Sequence, residues 1–127
     1  MPYISKNNDR RERLRKGEPA LSAGELNYQI FYYVKHLDNK EPLFFNDEAN
    51  IDIIKETVKK FVDHFLGKQP NYQRYNDMTG CLIRCYKEIK RRLNIYLKDM
   101  FITIMERYDD EIAKYEDTKI ISNGDVE

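Results

Sequence analysis

The feature that most constrains the fold is the run from Tyr72 to about Tyr115, which contains no proline and one glycine, Gly80. Its apolar residues recur at steps of three and four: Leu82, Tyr86, Ile89, Leu93, Tyr96, Met100, Ile104, Tyr108 and Ile112. This spacing predicts an amphipathic helix of about 40 residues, roughly 60 Å long, or two helices separated by a break. Such a long apolar stripe favours contact with a second copy of the chain.

Two shorter helices are predicted before this run. Ser22 and Glu25 have the spacing of a capping box, and the apolar residues that follow predict a first helix over 23–38. Asn46 is a candidate N-cap for a second helix, which Gly67 would end. We therefore expect an all-α fold, a three-helix bundle with one very long third helix, assembled as a homodimer or higher oligomer.

Charged side chains are distributed unevenly along the chain, although its 22 basic and 22 acidic side chains balance overall. Residues 1–17 hold six basic and two acidic side chains, whereas residues 106–127 hold three basic and eight acidic ones. We expect a basic N-terminal arm over 1–21, a helical domain over 22–115 and a short acidic tail over 116–127. A basic half and an acidic half on one long helix would also favour antiparallel pairing of two copies.

The setting expected from the sequence is the cytoplasm. No apolar run approaches the roughly 18 residues that a transmembrane helix needs, and the N-terminus lacks an apolar signal region. Two cysteines without such a signal are typical of a reducing compartment. The sequence therefore predicts a soluble cytoplasmic protein with no membrane partner.

Polar residues gather unusually at the start of the long helix, in the stretch NYQRYNDMTG over 71–80. Capping by Asn71 explains one of them, whereas Asn and Asp inside a helix are usually kept for hydrogen bonds. A basic stripe follows on the same helix face. We predict a ligand site between the first and third helices, formed by Asn27, Tyr28, Tyr75, Asn76, Asp77, Arg84, Lys87 and Arg91. The alternatives are an interhelical polar network and an ordinary solvated helix face.

Catalytic and metal-binding patterns are weak. The sequence lacks a glycine-rich phosphate loop and a Ser/His/Asp pattern, so we expect no enzyme activity and no cofactor. Cys81 and Cys85 lie four residues apart, with His36 and His64 on other predicted helices, which leaves a zinc site conceivable. Two small buried residues are the preferred interpretation of the cysteines, with no metal bound.

Four ordered motifs resemble a family of short proteins from bacteriophages, prophages and bacteria. They are Met-Pro-Tyr-Ile at 1–4, Gly-Glu-Leu-Asn-Tyr at 24–28, the spacing Tyr72…Asn76-Asp77…Gly80, and a final segment from Tyr115 to Val126. That final segment has the pattern Tyr-Glu-Asp-x-Lys-Ile…Asn-Gly-Asp-Val. The chain departs from the family between about Arg92 and Asp110, where an insertion lengthens the last helix. The resemblance implies a small phage accessory factor, and by analogy one that counters host defence.

Two functions fit these observations. The first is non-catalytic binding of a small phosphate-bearing nucleotide or of single-stranded nucleic acid, with Tyr and Asn side chains on the base and Arg84, Lys87 and Arg91 on phosphates. The second is a protein–protein inhibitor that docks on a host defence enzyme, such as a CRISPR effector, through its arm and tail. A ligand binder needs no protein partner, whereas an inhibitor co-purifies with its target.

Overall fold

All regular structure in the part of the chain that the computed structural model describes, residues 9–38, 45 and 47–124, is helical. Its six helices are α1 Asp9–Arg15, α2 Ala23–Asp38, α3 Glu48–Leu66, α4 Tyr72–Leu93, α5 Lys98–Glu106 and α6 Asp109–Asn123. The predicted all-α class is therefore confirmed for these residues. The motif at 1–4, the proposed N-cap Asn46 and the residues Asp125 and Val126 of the final motif lie outside them.

Helix starts depend on short polar side chains, mostly those that the sequence indicates. Ser22 Oγ accepts the backbone N–H of Glu25 at 3.2 Å, and Asn71 Oδ1 accepts a backbone N–H in the first turn of α4 at 2.8 Å. The cap of α3 is Asp47, one residue later than the proposed Asn46. Gly67 ends α3 with a φ of 77°, a backbone conformation that glycine adopts without strain.

The core forms where α2, α3 and α4 pack on one another, and α5 closes it. Burying an aliphatic side chain fully stabilises a fold by about 1.5–3 kcal/mol, so these positions dominate its stability. The core side chains with no exposed surface include Leu26, Ile30, Val34, Ile54, Val58, Val62, Leu82, Cys85, Ile89 and Phe101. They recur at helical spacing on α2, α3 and α4, which explains why α2, α3 and the start of α4 could be predicted from the sequence.

The prediction of one very long third helix is wrong, because the run from Tyr72 contains two breaks. At the first break Asn94 has a φ of 57°, and its N–H bonds to the carbonyl of Lys90 at 2.9 Å. The connector then buries Ile95 and Leu97, so α5 turns back onto α3 and α4 instead of extending into solvent. At the second break, the turn at 107–108 buries the ring of Tyr108 and starts α6.

The predicted basic arm contains a short helix that packs on the domain. Leu14 of α1 is 1 % exposed, and its carbonyl accepts a hydrogen bond from the buried Gln29 of α2 at 2.9 Å. Arg10 of α1 makes a two-pronged ion pair with Glu25 of α2, at 2.8 and 3.1 Å. Residues 9–20 are thereby fixed to one face of α2.

The predicted acidic tail continues a helix over much of its length, since α6 runs from Asp109 to Asn123. A side-chain hydrogen bond joins α6 to α4, in which the Tyr75 hydroxyl donates to Glu111 at 2.6 Å. Most side chains of α6 up to residue 118 are exposed, and Ile112 is half-buried. The helix is therefore held at its first turns and presents a polar surface beyond them.

Substitutions at Asn94 test the first break. In the left-handed conformation glycine carries no side-chain strain, so Asn94→Gly should leave the free energy of unfolding unchanged or raise it. Asn94→Val should lower it by about 1–2 kcal/mol. Urea unfolding of the two variants measures both values. A continuous helix predicts instead a loss of roughly a few tenths of a kcal/mol for glycine and almost no change for valine, because Asn and Val have similar helix propensities, and that result would contradict the break.

Candidate functional site

The predicted site residues separate into three places. Asn27, Asn76, Asp77 and Arg84 line one groove between α2 and α4, together with Ala23, Gly24, Gly80 and Cys81. A Cβ atom added at Gly80 would meet no atom within 4 Å among the described residues, so packing within the chain does not require glycine there. The structure thus brings four of the eight predicted residues together, in a shallow groove with open space at its glycine.

The cations Arg84, Lys87 and Arg91 form a strip along the exposed side of α4, next to this groove. Glu88 lies within the strip and accepts from Arg92 at 3.2 Å, with Arg91 at 4.0 Å. Its carboxylate therefore neutralises part of the positive charge at the C-terminal end of the strip.

Tyr75 lines a different cleft, of about 550 Å³, between the end of α3, the start of α4 and α6. Its hydroxyl donates to Glu111, that of Tyr108 donates to Asp63, and that of Tyr115 donates to the Pro70 carbonyl. Burial, followed by the neighbouring carboxylate, raises the pKa of both Tyr75 and Tyr108 well above that of a free tyrosine. These hydroxyls fix α6 and are occupied by partners within the protein.

Tyr28 lies in a third place, a cleft of about 320 Å³ between α1, α2 and the end of α4. We call it the basic cleft; its lining residues are Arg11, Arg15, Tyr28, Phe31, Tyr32, Lys35, His36 and Arg92. Four of them are permanent cations, and none of the described residues that line it is acidic. A group of cations around one cavity that no described acidic side chain lines favours an anionic ligand.

Guanidinium groups lie over the aromatic rings of this cleft. Arg15 Cζ is 4.6 Å from the centre of the Tyr32 ring, and Arg11 Cζ is 5.1 Å from that of Tyr28. Arg92 Cζ is 4.6 Å from the centre of Phe31. These distances are those of cation–π contacts, which hold the flat guanidinium groups in place before any ligand arrives.

The aromatic residues of α2 form a ladder at a spacing of four residues. Tyr28 and Tyr32 have ring centres 6.1 Å apart, and Tyr32 and His36 have centres 6.0 Å apart, with planes inclined by 22° and 16°. The Tyr28 hydroxyl accepts a hydrogen bond from Arg15 Nε at 2.8 Å. One face of α2 thus builds the wall of the basic cleft, while the adjacent Asn27 faces α4.

The α1 side of the cleft is fixed by buried polar contacts. Gln29, 3 % exposed, donates from Nε2 to the carbonyls of Leu14 and Glu18, both at 2.9 Å. The hydrogen bond from Arg10 lowers the pKa of Glu25, so that carboxylate stays charged and paired at neutral pH. α1 therefore holds Arg11 and Arg15 in a defined position.

Sequence reasoning missed most of the basic cleft, although one signal was present. The aromatic residues Tyr28, Tyr32 and His36 recur every four positions, which places them on one helix face. The cations of residues 10–15 are close in sequence but become a site only when α1 packs on α2. That packing involves the buried Leu14 together with contacts of Gln29 and Arg10, and none of these gives a periodic pattern.

The two cysteines are buried and unpaired. Burial raises the pKa of the Cys81 thiol to about 12 and that of Cys85 well above its ordinary value. In the described part of the chain, no three or more His, Cys, Asp or Glu side chains are placed to hold a metal ion. His36 lines the basic cleft, whereas Cys81 lines the groove between α2 and α4.

Comparison of the chain with protein-family models, with curated proteins and with solved structures gave no match. Among the described helices, none combines the length and the apolar character needed to cross a membrane.

Proposed function

We propose that the protein is a non-catalytic binder of a small phosphate-bearing ligand of the nucleotide type, and that the basic cleft is its site. One observation carries this proposal: four permanent cations and four aromatic rings, counting the imidazole of His36, surround one cavity that no described acidic side chain lines. Arg and Lys side chains are the usual partners of phosphate oxygens, through charge-assisted hydrogen bonds.

The four cations have different roles in this proposal. Arg11, Arg15 and Arg92 present stacked, oriented guanidinium groups, whereas Lys35 contributes an exposed ammonium group at the edge of the cleft. The predicted residues Arg84, Lys87 and Arg91 lie on the neighbouring strip of α4, where they attract anions toward the cleft. Both thiols are buried and protonated, which supports binding in place of nucleophilic catalysis.

Two single substitutions with opposite effects test the site. Lys35→Ala removes an exposed cation of the cleft and should weaken binding of ATP about tenfold at low salt. Glu88→Gln releases Arg92 from its carboxylate partner and should strengthen binding about threefold. Isothermal titration calorimetry measures both dissociation constants.

Lys60→Ala is the matched control for this experiment, because Lys60 is an exposed lysine of α3 outside the basic cleft. Its dissociation constant should equal that of the unchanged protein. The proposal fails if the wild type binds no nucleotide at low salt, or if Lys60→Ala and Lys35→Ala weaken binding equally.

The resemblance to short phage proteins supports a wider proposal, that this binder is an accessory factor acting in the host cytoplasm, where it would sequester a nucleotide-type signal. We also propose that it self-associates. The basic strip of α4 and the acidic first turn of α6 keep the charge segregation that favours pairing, although they belong to separate helices. Light scattering that shows a monomer at micromolar concentration and low salt would exclude self-association.

A further inference from the structure

We infer that two copies of the chain associate through α4, in an antiparallel pair whose two-fold axis passes beside Gly80. This inference rests on the proposed self-association and names its surface, its direction and its contacts. The groove between α2 and α4 then lies against the α4 helix of a second copy.

Gly80 lies in the middle of α4, where glycine is less favourable than alanine. A Cβ atom added there would meet no atom within 4 Å among the described residues, and the backbone has no positive φ that requires glycine. Glycine does allow another backbone to approach closely from outside. The position therefore suits a crossing with a helix that the single chain does not supply.

The face of α4 around Gly80 is uncovered in the single chain. Asn76, Gly80 and Arg84 are all exposed on it. The α2 wall of the adjoining groove begins with the small residues Ala23 and Gly24, so it leaves room beside this face. The surface is polar, which indicates that charge pairing, more than apolar burial, would hold a second copy.

Opposite charges flank Gly80 on α4. Asp77 and Arg84 both line the groove, and the midpoint between them falls between Gly80 and Cys81. In the described part of the chain neither side chain forms an ion pair, although Asp77 accepts a hydrogen bond from Gln73 at 2.8 Å. A carboxylate has four acceptor positions, so Asp77 can still bind a cation of a second copy.

An antiparallel pair makes this arrangement self-complementary. Two α4 helices that cross at Gly80 in opposite directions place Asp77 of each copy level with Arg84 of the other, because both residues are equally far from the crossing point. The contact is the same on both copies, so the ion pair forms twice and the dimer is closed. A parallel pair would set like charges against each other. Charge therefore selects the antiparallel direction and makes the association sensitive to salt.

Charge reversal at these two positions tests the pairing, with sedimentation velocity at low salt as the measurement. Asp77→Lys and Arg84→Glu should each raise the dimer dissociation constant by about tenfold or more, because each sets like charges together. An equimolar mixture of the two variants should form a heterodimer with a dissociation constant within about threefold of the wild type, identified by native mass spectrometry. Single variants that dimerise as tightly as the wild type, or a mixture without heterodimer, would overturn the inference.

Lys60→Glu is the matched control, because it changes the net charge as Arg84→Glu does, at an exposed position of α3. It should dimerise like the wild type, and its mixture with Asp77→Lys should contain little heterodimer. If that mixture contains as much heterodimer as the mixture of Asp77→Lys and Arg84→Glu, the attraction is between net charges only, and the inference is wrong.

Gly80→Gln tests the close crossing independently of charge. Glutamine is a good helix former and its Cβ has open space here, so the melting temperature of dilute protein should stay unchanged or rise. The dimer dissociation constant should rise by about tenfold or more, because the longer side chain separates the two helices. Unchanged dimerisation in this variant would place the contact elsewhere and overturn the inference.

A thermal melt shows whether each charge variant keeps its fold, and Gly80→Gln decides the question if one of them does not. A dimer that persists in all these variants leaves the proposed self-association standing and overturns only its placement at Gly80. A wild type that stays monomeric at micromolar concentration and low salt overturns both, whereas nucleotide binding at the basic cleft is tested separately by calorimetry.

Discussion

Above pH 10 the protein is expected to lose stability steeply, because Tyr75 and Tyr108 ionise more readily in the unfolded chain than in the fold. Both hydroxyls have raised pKa values in the fold, through burial and through their carboxylate partners. A tyrosine whose pKa is higher in the folded state than in the unfolded chain contributes fully to the free energy of unfolding below the unfolded pKa of about 10. That contribution is lost as the pH rises above this value. Each tyrosine should contribute roughly 1.4 kcal/mol per pH unit to the fall, measured by urea unfolding between pH 9 and 12.

Phenylalanine substitutions assign this alkaline loss to particular residues. Tyr75→Phe removes the hydrogen bond to Glu111 and should cost about 1–2 kcal/mol at pH 7, yet it should make the decline above pH 10 shallower. Tyr96→Phe is the control, because Tyr96 is 70 % exposed and its ring lies at the surface. A decline in Tyr75→Phe as steep as that of the wild type would show that the Tyr75 hydroxyl ionises without unfolding.

Replacing Gln29 by methionine should lower both stability and ligand affinity. The variant keeps the volume of the side chain but removes the two donors that hold the carbonyls of Leu14 and Glu18. We expect the free energy of unfolding to fall by about 1–3 kcal/mol, since buried acceptors lose their partners. ATP affinity should fall at least tenfold, because α1 carries Arg11 and Arg15. Urea unfolding and calorimetry measure the two effects.

Gln73→Met is the matched control for this change, because Gln73 makes one exposed hydrogen bond, to Asp77 at 2.8 Å. Its effect on stability should stay below about 0.5 kcal/mol, with unchanged affinity. If Gln29→Met loses stability but binds ATP as tightly as the wild type, the position of α1 is not needed for binding, and the basic cleft is the wrong site.

Local rules predicted α2, α3 and the start of α4 well, but they did not predict α1. The predicted start of α2 and its predicted end at residue 38 agree with the structure. As predicted, Gly67 ends α3 and Asn71 caps the start of α4. These boundaries depend on contacts within one helical turn, which can be predicted because the residues that make them are close in the sequence.

The division of the predicted long helix into α4, α5 and α6 could not be predicted, because the apolar spacing continues through both breaks. Asn occurs both inside helices and in left-handed caps, so its presence at position 94 does not decide between them. The break instead accompanies the burial of Ile95 and Leu97. Tertiary packing determines where the helix breaks, and the apolar periodicity along the chain gives no information about that packing.

The prediction of the site was incomplete for a related reason. Adjacent residues of a helix lie about 100° apart, so Asn27 and Tyr28 face different neighbours. The sequence grouped them into one site, whereas the structure places Asn27 at the groove with α4 and Tyr28 under α1. Predicting that separation requires knowing that α1 packs on α2, which rests on non-periodic contacts such as those of Gln29 and Arg10.

The burial of both cysteines has a practical consequence for labelling chemistry. A maleimide reacts with the thiolate form of an accessible thiol, and neither Cys81 nor Cys85 offers one while the fold is intact. A single cysteine introduced at an exposed position, such as Lys60→Cys, would therefore accept a fluorophore or spin label without removal of the native pair. The native cysteines can react only when the core between α2 and α4 opens. The rate of their slow reaction would therefore report how often that core opens.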